Sequence, residues 1–258
     1  MANIDATGCE WNEQIQALVD GGKYRDAEKR YELAIQSDPE GRSSYWYLGL
    51  IKLLQGDEPS AQTTWFIPLS ACDSEDLMEQ LSQELLFILD DEAARQQTND
   101  NSETVWVIRQ HIRELDPTNF NNLLLLIQTA IRTERFHVED LEAWEMLTFL
   151  RDNMFSTPHS VLLADTLLEL IKNYAFDPLI YDIVEICTSF FKQEPNLFVE
   201  GLVNESGRIA FGEGNPGLAA HFLELGHQLT PNNLEVLRFL SVFYQNARQL
   251  EKALTLAY

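Results

Sequence analysis

Two residue patterns and three thiols in this chain carry the spelling of chemical sites. Gly212-Glu-Gly214-Asn-Pro-Gly217 has the GxGxxG spacing. After a strand and at the start of a helix, that spacing lets backbone N–H groups approach a pyrophosphate. Glu134–His137 and Glu224–His227 are Glu-x-x-His strings. Paired strings of this kind set a carboxylate and an imidazole one helical turn apart, facing a shared metal, in di-iron bundles. Cys9, Cys72 and Cys187 supply the thiols.

The elements around these residues point elsewhere. NESGRIAF, before Gly212, reads as the first helix of a helical pair rather than a strand, and Glu213 would repel a phosphate. The glycine string is therefore expected to be an inter-helix turn, with Pro216 in the first turn of the next helix. A di-iron bundle needs four long helices with two further inward carboxylates, whereas breaks here recur every 12 to 18 residues, and Glu134–His137 falls on one of them. His111, His159 and His221 have no partner spacing that improves on this. Three widely spaced cysteines support neither a disulfide framework nor a CxxC metal site, so a reducing compartment is expected. No GxSxG, HExxH or P-loop occurs. The reading is of a chain with no catalytic residue, no metal ligand and no cofactor of its own.

The breaks themselves carry the stronger signal, a repeat. Aligning Trp11–Pro39 with Tyr45–Asp73 pairs Trp11 with Tyr45, Ala27 with Ala61 and Tyr31 with Trp65, each 34 residues apart, and sets Gly22 opposite Gly56. With Leu48-Gly49, Ala34 and Pro39 in phase, this pattern resembles the tetratricopeptide repeat. Small residues belong where two helices approach closely, aromatics fill the holes beside the crossing, and proline ends the second helix. Later units keep the rhythm less exactly: Pro117, Pro195 and Pro231 close segments. Gly207, Ala219 and Gly226 fall at small positions of a unit over 200–233. Leu167, Leu170 and Tyr174 suit a first-helix face, and Leu234, Leu237, Leu240, Tyr244 and Ala253 suit the last unit. Runs such as LLLLIQTAIRTERF and AWEMLTFLRDNMF show only apolar periodicity, at a longer spacing near 39 residues. No stretch alternates with period two. The expectation is all-α: about seven helix-turn-helix units in a tetratricopeptide-like α-solenoid with a right-handed superhelix. Residues 8–75 hold two well-formed repeats, 76–197 degenerate pairs, and 198–258 tetratricopeptide-like repeats, the last incomplete.

Composition agrees. Gly (12) and Pro (9) are scarce in 258 residues, which favours long helices, and 45% of residues are hydrophobic, enough for a sizeable core. The formal net charge of −23 disfavours nucleic acid and anionic membrane surfaces. The most apolar run, Leu123 to Ile131, is about half of a membrane span. The polar, acidic start lacks the apolar core of a signal peptide, so a cytoplasmic chain is expected.

In a tetratricopeptide array the first helix of each pair lines the concave groove. By phase, that resemblance assigns partner-binding positions to Asn12, Gln16, Trp46, Leu50 and Leu53 in the first two units. In the late units it assigns Asn204, Arg208, Phe211, Arg238 and Gln245. Trp46 and Arg238 are residue types that often anchor interfaces, although Trp46 would equally suit packing on a neighbouring repeat. Only six Lys occur, too few for a groove that clamps acidic peptide tails.

YWYLGLIKLLQGDEPSAQTTW and VWVIRQHIRELDPTNFNNLLLLIQ carry a narrower resemblance, over residues 8 to 130, to the amino-terminal helical region of bacterial, chiefly cyanobacterial, SPINDLY-type proteins. These are relatives of O-linked N-acetylglucosamine transferases. The resemblance implies a non-catalytic array that recruits protein substrates to a separate carboxy-terminal glycosyltransferase domain. The transferases hold substrate backbone with an Asn at the sixth position of each repeat. Here those positions are Glu13, Tyr47, Glu205 and Phe239. The chain stops inside a repeat, which suggests an amino-terminal fragment of a larger protein. The partner expected is a protein or peptide. The alternative is a stand-alone scaffold or assembly factor, self-associating through the incomplete end repeat.

Overall fold

The structure is a computed structural model that describes residues 13–144, 146 and 158–255. Trp11, Asn12, Cys9, most of AWEMLTFLRDNMF and the last three residues lie outside that set. The described residues are all-helical, with fourteen α-helices and no strand. None of these helices is long and apolar enough to cross a membrane. The chain divides into two compact units, 1–119 and 120–258, with the boundary inside the segment expected to hold degenerate repeats.

The first unit holds α1 (Glu13–Asp20), α2 (Tyr24–Ser37), α3 (Arg42–Leu54), α4 (Glu58–Ser70), α5 (Glu75–Thr98) and α6 (Ser102–Leu115). Gly22 and Gly56 make the turns inside the two well-formed pairs at φ +69° and +81°, a region that costs other residues dearly. Asp57 caps α4, accepting from the Ser60 amide at 3.2 Å, and Ser74 caps α5, accepting from Leu77 at 3.3 Å. The 24 residues of α5 account for the longer spacing in the middle of the sequence.

Each helix in this unit packs on the next, and α3 also packs on α5. The α3–α4 crossing is close because Gly49 has no side chain. A Cβ there would lie 2.1 Å from Trp65 Nε1, and that indole N–H donates to the Trp46 carbonyl at 3.0 Å. Tyr31 stacks on Tyr47 at 5.6 Å between α2 and α3. Trp46 donates from Nε1 to Glu84 of α5 at 3.3 Å. A buried carboxylate, Glu92, is held by Arg95 at 2.6 and 2.8 Å and by Gln96 at 2.6 Å. Arg95 also reaches Asp20 of α1 at 2.5 Å, so one network joins α1 to α5.

The second unit holds α7 (Phe120–Arg132), α8 (Asp140–Ala143), α9 (Pro158–Tyr174), α10 (Pro178–Thr188), α11 (Asn196–Gly207), α12 (Pro216–Leu229), α13 (Leu234–Asn246) and α14 (Leu250–Thr255). Asp177, Asn215 and Asn233 cap α10, α12 and α13 through amides at 2.9 to 3.0 Å. Beyond sequential contacts, α7 packs on α9, α9 on α11, α11 on α13, and α10 on α12. First helices thus lie beside first helices and second beside second. Leu167 and Leu170 of α9, Ala219 of α12 and Leu240 of α13 are buried, as their phase predicts.

One small-residue position differs from expectation. A Cβ on Gly207 would meet nothing within 4 Å, whereas one on Gly201 would lie 2.2 Å from Leu168 Cδ1 of α9. The helix widens into a π-helical turn at Arg208–Gly212, directly after Gly207. The close approach falls six residues earlier, between two first helices.

Candidate functional site

The packing of α7, α9 and α11 leaves a groove of about 350 Å³ lined by Gln128, Asp165, Leu168, Glu169, Lys172 and Glu205. Asp165, Leu168, Glu169 and Lys172 recur at helical spacing along α9, so one stripe of that helix faces the groove while Leu167 and Leu170 face the core. Gln128 is fixed at both ends of its amide, the nitrogen donating to Thr166 Oγ at 3.0 Å and the oxygen accepting from Arg132 at 3.4 Å. Three carboxylates against one ammonium make the lining acidic.

Arg208 does not reverse that sign. Its Nε donates to Glu205 at 2.7 Å, a second nitrogen pairs with Glu213, and the third donates to the Lys172 carbonyl at 2.8 Å. The guanidinium thus caps the end of α9 and staples it to the π turn after α11.

The residues assigned to the groove by phase are distributed unevenly. Asn12 lies outside the described residues, and Gln16 is half-buried on α1. Trp46, Leu50 and Leu53 are 1%, 0% and 4% exposed, packed in the first unit's core, so their side chains offer a partner almost no surface. Asn204 is exposed on α11, and Arg238 and Gln245 are exposed on α13. Phe211, on the π turn, is 63% exposed and rests edge-on against Phe243 at 5.8 Å. Asn204, Arg208 and Phe211 therefore lie along one helical segment, α11 and its π turn, with Arg208 bonded to Glu205 and the Lys172 carbonyl of the groove and Phe211 resting against α13. Phase alone did not identify Asp165, Glu169 and Lys172, although their spacing was readable as the stripe opposite Leu167 and Leu170.

The motifs with other chemistry resolve into structural parts. Gly212–Gly217 is an inter-helix turn preceded by helix, with Gly214 at φ +71° and Pro216 starting α12. Glu134 sits in a turn at φ +56°. Glu224 accepts from the Tyr244 hydroxyl at 2.5 Å and from Lys252 at 2.8 Å, 3.8 Å from His221 Nδ1. Burial opposes its charge, yet the hydrogen bonds from Lys252 and Tyr244 together hold its carboxyl below the usual value. His221 stacks on Tyr181 at 3.8 Å. Burial, then Glu185, Glu224 and Asp182, push the Tyr181 hydroxyl up to about 12. His111 is buried edge-on to Trp65 at 5.6 Å, with Nδ1 3.4 Å from Glu114. Among the described residues no group of three or more His, Cys, Asp or Glu could hold a metal ion. Cys187 is fully buried, and burial pushes its thiol well above the ordinary value, which suppresses the reactive thiolate. The side chain of His159 lies outside what the structure describes.

The chain matches no protein-family model and no curated protein.

Proposed function

We propose that this chain is a protein-interaction module. Each unit would be a run of a tetratricopeptide-like α-solenoid of right-handed hand, and the first-helix face of the second unit would recruit a protein or peptide partner. The observation that carries the reading is the groove along α7, α9 and α11, three first helices packed side by side. Its polar lining contains side chains with no hydrogen bond or ion pair to any described residue, carried on packed helices, which suits recognition of an extended segment. The 34-residue phasing of Gly22 with Gly56 and Ala27 with Ala61 supports the solenoid. Nucleic acid is a poor candidate partner for a chain of net charge −23. On the resemblance to SPINDLY-type proteins, the recruited partner would be a substrate for a glycosyltransferase domain in the same polypeptide.

Site-specific photo-crosslinking tests the reading. A photoreactive residue at Asn204, beside the groove, is expected to give a discrete adduct in native lysate. The same residue at Gln228, exposed on α12, is expected to give none. Equal labelling from both positions, or none from Asn204, overturns it.

A second reading, a self-associating scaffold, is favoured by Leu250 and Leu254, which are 61% and 58% exposed four residues apart on α14. A light-scattering mass that stays monomeric across the accessible concentration range would set it aside.

A further inference from the structure

We infer that the groove on α7, α9 and α11, together with the Phe211 ring beside it, takes a basic peptide segment that carries one large apolar residue. This rests on the binding-module reading and adds the chemistry of the partner.

The charge of the groove supplies the first argument. Glu205 is already engaged by Arg208. Asp165 and Glu169 make no side-chain hydrogen bond or ion pair with any described residue, and both line the groove. A carboxylate pair in a concave site, where Lys172 is the one cation among the described lining residues and Arg132 is held on Gln128, attracts cationic side chains more strongly than the same pair on a convex surface. An acidic partner would meet Asp165, Glu169 and Glu205 together. The Arg208 guanidinium is taken up by Glu205, Glu213 and the carbonyl at Lys172.

The apolar requirement comes from an independent feature. Phe211 is 63% exposed, yet one edge rests on Phe243, which in turn meets Phe239 at 5.8 Å. A large exposed ring on a firm aromatic base loses little conformational freedom when a partner covers it, as interface anchors require. The π turn of Arg208–Gly212 carries this ring. The chain links the ring to the groove through Arg208. Arg208 bonds to Glu205 and to the Lys172 carbonyl, both at groove residues, and Phe211 follows it by three positions on the same helical segment. Within the groove, Leu168 is the apolar floor, seated against Gly201, where any Cβ would lie 2.2 Å from it. A segment bound here meets carboxylates along α9 and an aromatic face at the α11 end.

The test uses the full chain and three fluorescein-labelled octapeptides in anisotropy titrations. One alternates Lys and Gly with a central Leu, the second has Ser for that Leu, and the third has Glu for every Lys. Burying a Leu side chain leads to an expected preference of about tenfold or more for the first peptide over the second. The third is expected not to bind. Asp165→Asn with Glu169→Gln should weaken the first peptide about tenfold or more, since two charge-assisted contacts are lost. Phe211→Ser should abolish the Leu-over-Ser preference and keep the salt-dependent Lys attraction. Phe66→Ser, removing a 66% exposed ring from α4 in the other unit, is expected to change nothing. The inference is overturned if the groove double variant leaves affinity unaltered, or if Phe66→Ser weakens binding as much as Phe211→Ser. Either result reduces the attraction to the general charge of the chain. A discrete adduct at Asn204 without this peptide preference would keep the module and discard its proposed ligand chemistry.

Discussion

Gly49 and Trp65 are complementary parts of one contact: the indole of Trp65 occupies the space where any other residue at 49 would place its Cβ, 2.1 Å from Nε1. The ring cannot easily retreat, because its N–H is bonded to the Trp46 carbonyl and both tryptophans are buried. Gly49→Ala should therefore force α3 and α4 apart. Overpacking costs about 1–3 kcal/mol and here exceeds the gain of up to about 1 kcal/mol that Ala brings to a helix interior. Gly56→Ala has open space around it and φ +81°, so its cost is the backbone strain alone, about 1–2 kcal/mol. Denaturant unfolding followed by tryptophan fluorescence is expected to show both losses, with the near-ultraviolet aromatic signature perturbed in Gly49→Ala and native in Gly56→Ala.

Gly201 and Leu168 make a softer version of the same contact. A Cβ at 201 meets the end of a flexible side chain rather than a held ring. Gly201→Ala should cost about 1 kcal/mol in wild type. In a Leu168→Ala background it should become neutral or stabilising, because the clash is gone and only the helix-propensity gain is left. Such a cycle reads a coupling of about 1–2 kcal/mol between the two positions. Additive effects would contradict the contact.

Legibility in the sequence followed what the backbone demands locally. Gly22, Gly56, Ala27 and Ala61 announce themselves because a left-handed turn and a close crossing within one helical pair need those residue types at fixed offsets. The all-helical character, the turn at Gly212–Gly217 and the start of α12 at Pro216 were readable for the same reason. The groove was not, because it belongs to contacts between pairs. Gly201 is small to admit Leu168, 33 positions earlier, and phase within its own unit pointed to Gly207 instead. Arg208 reads as a free cation in sequence. Its neutralisation depends on Glu213 across a π turn and on carbonyls at the end of α9. Trp46, Leu50 and Leu53 had the right phase for a surface, but the packing of α5 on α3 encloses that face.

Glu224 ties α12 to α13 and α14 through Tyr244 and Lys252, and its carboxyl is held below the ordinary value of 4.5. Because the folded value is the lower one, its contribution to stability is fully present above about pH 4.5 and is lost as pH falls through the folded value. Glu224→Gln should melt below wild type at pH 7, and the gap should narrow as the pH is lowered below 4.5. Melting curves across that range check it, and a constant gap would show that the ion pair and phenol bond do not carry the difference.

Cys187 is fully buried with its thiol pushed up, whereas Cys72 is partly accessible on the turn after α4. Brief alkylation of the native protein followed by peptide mass spectrometry should modify Cys72 well before Cys187. Denaturation should equalise them. Rapid labelling of Cys187 in native protein would mean that α10 opens locally at low cost.

The claim that the first-helix face of the second unit is where a partner binds is tested most directly by hydrogen–deuterium exchange on the full chain, free and in the complex isolated through the Asn204 adduct. The account predicts slowed exchange across 158–174 and 196–212, with 178–188 and 216–229 unchanged. Protection confined to those second helices, with α9 and α11 exchanging as in the free chain, would contradict it.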